Sequence, residues 1–180
     1  MHKRKVILYI SMSLDGFIAT KDDDLSFLSI VEKEGEDYDY AKFSRQIDTY
    51  IVGRKTYDKV IELVGHFPAA KDYDCYIITR QNISNKENVT FYNGDIVELV
   101  KGLKQQEGKH IYCDGGGEIV KLLMDSDLID EYIVSIIPTI LGDGKRLFIG
   151  DTLRRNLKLV SSKEYDTGLV QLSYQRIPNL

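Results

Sequence analysis

Apolar residues fall in short runs separated by polar turns, and their spacing alternates between the strand and helix periods. Val6-Ile7-Leu8-Tyr9-Ile10 is a continuous run rich in β-branched and aromatic residues that ends at Asp15-Gly16, the pattern of a buried strand entering a turn. Beyond the acidic stretch Asp22-Asp23-Asp24, Tyr40, Phe43 and Ile47 recur at i, i+3 and i+7 and predict one face of a helix. Tyr50-Ile51-Val52 predicts a second strand closed by Gly53, and Tyr57, Val60, Ile61 and Val64 mark a second helix. Two further strands are predicted at Tyr76-Ile77-Ile78 and Val89-Thr90-Phe91-Tyr92. Asp95 and Glu98 then stand at capping-box spacing ahead of the stripe Ile96, Leu99, Val100 and Leu103. His110 to Cys113 reads as a strand running into Asp114-Gly115-Gly116-Gly117 and a helix bearing Ile119, Leu122 and Leu123. Tyr132 to Ile137 is a long buried strand before Pro138.

Near the C-terminus Val170, Leu172 and Tyr174 alternate with Gln171, Ser173 and Gln175, behind a hairpin turn at Asp166-Thr167-Gly168. The order βαβαββαβαβ followed by an antiparallel pair predicts an α/β fold. Its mainly parallel central sheet would carry helices on both faces and an antiparallel hairpin at the C-terminal edge. No repeat, low-complexity tract or linker divides residues 1–180, so a single domain is expected.

Composition narrows the class of function. Apolar residues make up 43% and charged residues 29%, as in globular domains, and 24 Lys plus Arg against 28 Asp plus Glu leave a net charge of -4. That balance argues against a protein that neutralises phosphates along a nucleic-acid duplex, and leaves room for a local cationic pocket. Cys75 and Cys113 are isolated from each other and from the three histidines, so neither a zinc site nor a disulfide framework is indicated. Lys3-Arg4-Lys5 before an apolar run resembles the start of a signal peptide, but the run is short and interrupted by Ser11 and Ser13. A cytoplasmic location is the expectation. No stretch approaches the roughly 18 apolar residues of a membrane span.

Ligands of a parallel sheet collect at the carboxyl ends of its strands, and three turns there suit phosphate. Gly53-Arg54-Lys55-Thr56 combines a tight turn, two cations, a hydroxyl and a helix start; alone it is equally an ordinary strand-to-helix turn. Gly115-Gly116-Gly117-Glu118 lets a backbone approach a ligand closely, without forming a GxGxxG fingerprint or a P-loop. Thr79-Arg80 places a hydroxyl and a guanidinium at a strand end, suited to a 2′-phosphate. Among the acids, Asp39 lies four before Phe43 at the border of an apolar stripe. It is either a surface carboxylate or one that faces an aromatic-walled pocket and relays a proton. Asp22, Asp23 and Asp24 lack the offsets of a calcium loop, and no nucleophile elbow is present.

Taken in order, Ser11-Met12-Ser13-Leu14-Asp15-Gly16-Phe17-Ile18-Ala19, Gly53-Arg54-Lys55-Thr56-Tyr57, Ile77-Ile78-Thr79-Arg80, Gly115-Gly116-Gly117-Glu118 and Pro138-Thr139-Ile140-Leu141-Gly142 resemble the dihydrofolate-reductase-like superfamily. Within it the pattern is most similar to the reductase domain of bacterial bifunctional riboflavin deaminase-reductases. The resemblance covers nearly the whole chain and implies a three-layer, dihydrofolate-reductase-like α/β fold. It implies NADPH as cofactor, with Gly53, Arg54, Lys55 and Thr56 and Gly115, Gly116, Gly117 and Glu118 near the pyrophosphate. Thr79 and Arg80 would lie near the 2′-phosphate, and the backbone of Ser11 and Ile18 at the nicotinamide, with Ala19 beside them. The Asp15–Ala19 loop would close over the reacting centre.

Substrate contacts implied on the same ground are Asp15, Phe27 and Phe43, with Asp39 as a catalytic carboxylate. The reaction would be hydride transfer to a small polar heterocyclic or ribosyl substrate, nearest to that of 5-amino-6-(5-phosphoribosylamino)uracil reductase. A folate reductase is disfavoured, because the threonine expected opposite Asp39 is replaced, on this alignment at Val134, and the Pro-Trp of the folate loop is missing. A non-catalytic NADP-binding module is the other alternative. No deaminase motif with H-x-E and P-C-x-x-C occurs. The family's habit of pairing through C-terminal strands implies a homodimer, although the alternation from Val170 to Tyr174 fits an ordinary strand equally well.

Overall fold

A computed structural model describes residues 3–150 and 154–177. In chain order its elements are β1 (Val6–Ser13), β2 (Phe17–Ala19), α1 (Tyr40–Ser44), β3 (Ile47–Gly53), α2 (Arg54–Val64), β4 (Asp74–Ile78), β5 (Val89–Tyr92), α3 (Ile96–Gln105), β6 (His110–Gly115), α4 (Gly117–Asp125), β7 (Glu131–Ile137), β8 (Lys145–Arg146), β9 (Leu157–Glu164) and β10 (Val170–Arg176). Short 3-10 turns occupy Ser26–Val31 and Pro68–Lys71. Eight strands form one sheet in the order β5-β4-β3-β6-β1-β7-β10-β9. From β5 to β7 the neighbours are parallel, and β10 joins β7 and β9 antiparallel, as the hydrophobic pattern predicts.

Apolar side chains from both faces of this sheet are covered, which is why its inner strands read as unbroken apolar runs. Val6, Leu8, Ile51, Ile111 and Cys113 point to one face and pack with Val100 and Leu103 of α3 and Val120 and Leu123 of α4. Ile7, Tyr50, Val52, Ile77 and Tyr112 point to the other, against Phe43 of α1 and Tyr57 of α2. Each helix is bounded by local chemistry. Asp95 caps α3 by accepting from the backbone N–H of Val97 and Glu98, and α2 ends on Gly65 at φ 77°.

Four details depart from the periodicity. Ile47 begins β3 and is no part of the preceding helix, which lasts only from Tyr40 to Ser44; a β-branched residue after one helical turn is drawn into the sheet. Val134 lies on the α3–α4 face, and the residues of β7 that join the α1 face are Ile133, packed against its cluster, and Ser135, through its bond to Gln171. On β10 the buried residue is Gln171, 7% exposed, since it is β9 that forms the sheet edge. Finally, β2 and β8 form a small second sheet that periodicity over three and two residues does not reveal.

At the amino ends of the strands the sheet is closed by a buried guanidinium. Arg4, 4% exposed, donates to the carbonyl of Lys109 at 2.6 Å and to Thr49 Oγ1 at 2.6 Å, and it pairs with Asp48. One cation thus ties the starts of β1, β3 and β6, and the carboxyl ends carry the long loops. Among the described residues no helix is long and apolar enough to cross a membrane.

Candidate active site

The carboxyl edge gathers the turns after β1, β3, β4, β6 and β7. Gly53 and Gly116 are the N-caps of α2 and α4, and neither end has a side-chain cap, in contrast to α3 with Asp95. Two helix N-termini therefore keep backbone donors for an outside acceptor, the arrangement that binds phosphate. Two of the three glycines at the start of α4 are demanded by the fold itself. Gly115 sits at φ 93°, and a Cβ on Gly117 would lie 2.6 Å from the carbonyl of Arg146. Nothing lies within 4 Å of where a Cβ on Gly116 would stand, so the backbone is bare there.

The cations at this edge are differently disposed. Arg54 is turned back on its own helix, donating to Asp58 at 2.7 and 2.8 Å, with its guanidinium 5.6 Å from the centre of the Phe91 ring. Lys55 is exposed, and Thr56 partly so. Arg80, 96% exposed, stands 4.0 Å from Glu118, so the end of β4 and the start of α4 face each other across the edge. Thr79 Oγ1 accepts from the N–H of Gln81 at 3.1 Å. The donor set of free helix ends, bare glycine backbone and a projecting arginine fits a dinucleotide.

Ser11 lies on β1 opposite Ser135, while Ile18 and Ala19 belong to β2, paired with β8. Asp15 holds this loop. Its carboxylate accepts from Ser13 Oγ at 2.6 Å and from the N–H groups of Leu141 and Gly142 at 3.1 and 2.7 Å. These bonds hold its pKa below the usual carboxylate value, the Ser13 hydroxyl foremost. The loop after β1 is thereby stapled to the loop after β7, and Asp15 spends its oxygens on that staple.

Asp39 occupies the N-cap position of α1 at φ 65°, outside the helical turns where the spacing placed it. Its carboxylate receives Lys163 Nζ at 2.8 Å and the Tyr165 hydroxyl at 3.2 Å, and it is 43% exposed. Lys163 holds its pKa low. Phe43, four residues on, is buried and stacks on Tyr9 at 4.6 Å, whereas Phe27 packs separately with Val31, Ile137 and Leu169. Between these groups the Gln171 amide donates to Ser135 Oγ at 3.2 Å and to the Tyr38 carbonyl at 3.1 Å.

A carboxylate that the motifs pass over is the best supported by its surroundings. Register shifts between β3 and β6, so that Ile51 faces Cys113 and Val52 faces Gly115, leaving Asp114 as the extra residue of a bulge. Its Oδ2 accepts from the Tyr50 hydroxyl and its Oδ1 from the Tyr112 hydroxyl at 2.7 Å. Burial pushes this carboxyl above its usual value, while the two phenols pull it back. Around it Tyr9, Phe43, Tyr50 and Tyr112 meet edge to face at 4.8–6.3 Å. The sequence signal was available: Tyr50, Tyr112 and Asp114 all fall at strand positions with one orientation, but pairing them requires knowing that β3 and β6 are neighbours.

Comparison with known proteins agrees with this geometry. Residues 4–171 match the family model of the RibD C-terminal domain. YwjB of Bacillus subtilis (strain 168), an uncharacterized protein, is 41% identical over 175 residues, covering 97% of this chain and 99% of its own. A solved structure of a Shewanella sp. PV-4 protein, provisionally assigned to riboflavin biosynthesis, superposes with a TM-score of 0.87 at 24% identity, covering 97% of this chain and 99% of that one. The diaminohydroxyphosphoribosylaminopyrimidine deaminase/5-amino-6-(5-phosphoribosylamino)uracil reductase of Thermotoga maritima gives 0.69 at 15% identity. That match covers 97% of this chain but only 57% of the larger protein. The chain belongs to the RibD C-terminal domain family and has its dihydrofolate-reductase-like fold.

Proposed function

We propose that the protein is an NADPH-dependent reductase acting on a small polar heterocyclic or ribosyl substrate, nearest in kind to 5-amino-6-(5-phosphoribosylamino)uracil reductase. The observation that carries the reading is the pair of helix N-termini at Gly53 and Gly116, both without side-chain caps, on one edge of a sheet of this family. The N–H groups of these turns would hold the pyrophosphate. Arg80, projecting at the end of β4, would exchange Glu118 for the 2′-phosphate. When bound, the reduced dinucleotide supplies the hydride; the chain binds it, orients the substrate and keeps water away.

The experiment is thermal stabilisation by NADPH against NADH, since a ligand of the native state raises apparent stability. NADPH is expected to raise Tm more than NADH at equal concentration. Arg80→Ala should weaken NADPH roughly ten- to a hundredfold and leave NADH nearly unchanged. Equal losses for both cofactors would remove Arg80 from the 2′-phosphate. On the same family reading we infer a homodimer through the exposed edge strand β9.

A further inference from the structure

Between α1 and the edge strand β9, on the α1 face of the sheet, lies a cavity of about 390 Å3. None of its lining residues belongs to the turns after β3, β4 or β6. Its floor is a cross-strand row of Tyr9, Ile133, Ser173 and Ser161 on β1, β7, β10 and β9, and Phe43 of α1 forms a wall. An apolar, aromatic surface beside paired hydroxyls suits a flat ring with polar edges. The next row towards the carboxyl edge is Ser11, Ser135, Gln171 and Lys163, and Gln171 reaches into the cavity from it.

Chemistry fixes the orientation of Gln171, which is 7% exposed. The Tyr38 carbonyl can only accept, so the amide nitrogen 3.1 Å away must face it and the amide oxygen must face elsewhere. Among the described residues nothing donates to that oxygen, Oε1. It nevertheless keeps contact with open space, which for this side chain is the cavity. The carbonyl that sets this orientation is itself turned inward by two successive residues in left-handed backbone, Tyr38 at φ 54° and Asp39 at φ 65°. Strain of this kind persists where the surroundings over-determine it, commonly at binding sites. Charge limits what can enter. Three lysines and two carboxylates line the cavity. Lys163 is bonded to Asp39 at 2.8 Å and Lys5 to Glu131 at 2.6 Å, so among the described residues Lys42 alone of the three has no ion pair. No arginine is among the described lining residues. One amine falls short of the paired cations or guanidinium fork that a desolvated phosphate dianion needs.

We propose that this cavity holds the heterocycle of the substrate through an N–H group that donates to Gln171 Oε1, and that it reads no phosphate. The inference rests on the reductase reading above and narrows it to a neutral single- or double-ring base, with or without an uncharged sugar. Ser161 and Ser173 offer hydroxyls that both donate and accept, suited to ring carbonyls and amino groups. Across β7, Ser11 stands about 10 Å from Gln171 in the same row, two strand spacings away. A ring anchored at Gln171 therefore extends towards the strand where the reductase reading puts the nicotinamide. Any phosphate on the substrate lies in solvent, beyond the groups that recognise the ring.

The test compares one ring with and without its phosphate. 5-Amino-6-(ribosylamino)uracil and 5-amino-6-(5-phosphoribosylamino)uracil are titrated calorimetrically into the wild-type protein, with and without NADP+. The two should bind within about tenfold of each other, since one exposed amine supplies no more than that. A larger preference for the phosphate ester, or no binding of the unphosphorylated compound, overturns the proposal. In the wild type, the side-chain amide signal of Gln171, assigned by its loss in Gln171→Leu, should shift on adding the unphosphorylated compound and stay in place with NADP+ alone. A signal that ignores the ring overturns the contact. Gln171→Leu should weaken that compound about tenfold or more and leave the Tm gain from NADPH unchanged. Stabilisation by NADPH without ring binding sinks the cavity proposal and leaves the reductase standing. If NADPH gives no stabilisation, the reductase reading falls, and the ring titration still decides the cavity.

Discussion

Two aspartates show how surroundings give one side chain opposite properties. Asp39 is solvated and paired with Lys163, so its carboxyl is held low; Asp114 is cut off from water, so its carboxyl is pushed up against the pull of its two phenols. Their contributions to stability therefore carry opposite signs with pH. The Asp39 pair is present above the unfolded value of about 3.9 and is lost as pH falls through the lower folded value. For Asp114 the native state binds the extra proton, so stability declines as pH rises from about 4 through its folded value. In urea denaturation, Asp39→Ala should cost less than about 1 kcal/mol at pH 7, as for other exposed pairs, and converge with wild type at acid pH. Asp114→Asn should gain on wild type as pH rises from 4 to 8. Parallel curves for both variants would contradict these assignments.

Elements were legible where their periods were long. The strands β1 and β3 to β7 stand out because burial on both faces leaves no polar alternation, and the Asp95 cap is local chemistry readable from two residues. Ile47 was misread because a single turn of helix followed by a strand also places apolar residues three and four apart. The small sheet of β2 and β8 was hidden because its partners are about 130 residues apart and its stability comes from elsewhere. Two strands alone are marginal, and here Asp15 supplies the missing bonds by joining the loops after β1 and β7. Asp15→Ala is expected to speed amide hydrogen exchange roughly tenfold in residues 14–24 and 139–148, with no change in β1 or β6. Unchanged exchange in those loops would show that the staple does not hold them.

For the whole molecule, the two edges of the sheet differ in length. β5 is short, whereas β9 runs for eight residues at the other edge with Leu159 and Val160 51% and 62% exposed. Long exposed edges are templates for pairing. Light scattering should therefore return twice 20.6 kDa, and Val160→Lys should shift the protein to the single-chain mass; a wild-type mass of one chain would remove the dimer. Net charge also gains meaning at this scale. The chain is acidic in sum, yet Lys55 and Arg80 extend from the edge where a dinucleotide would lie, a distribution that no total reveals.

The bulge at Asp114 has a consequence for how such a site can change. Because β6 carries one residue more than β3 between Cys113 and Gly115, the position of the carboxyl is set by chain length as well as by side-chain identity. Removing that residue would bring Cys113 and Gly115 into register with Ile51 and Val52 and leave Tyr50 and Tyr112 facing an empty cup. In this architecture an acid can be added to or erased from the carboxyl edge of the sheet by a one-residue indel, with every helix and strand still in place.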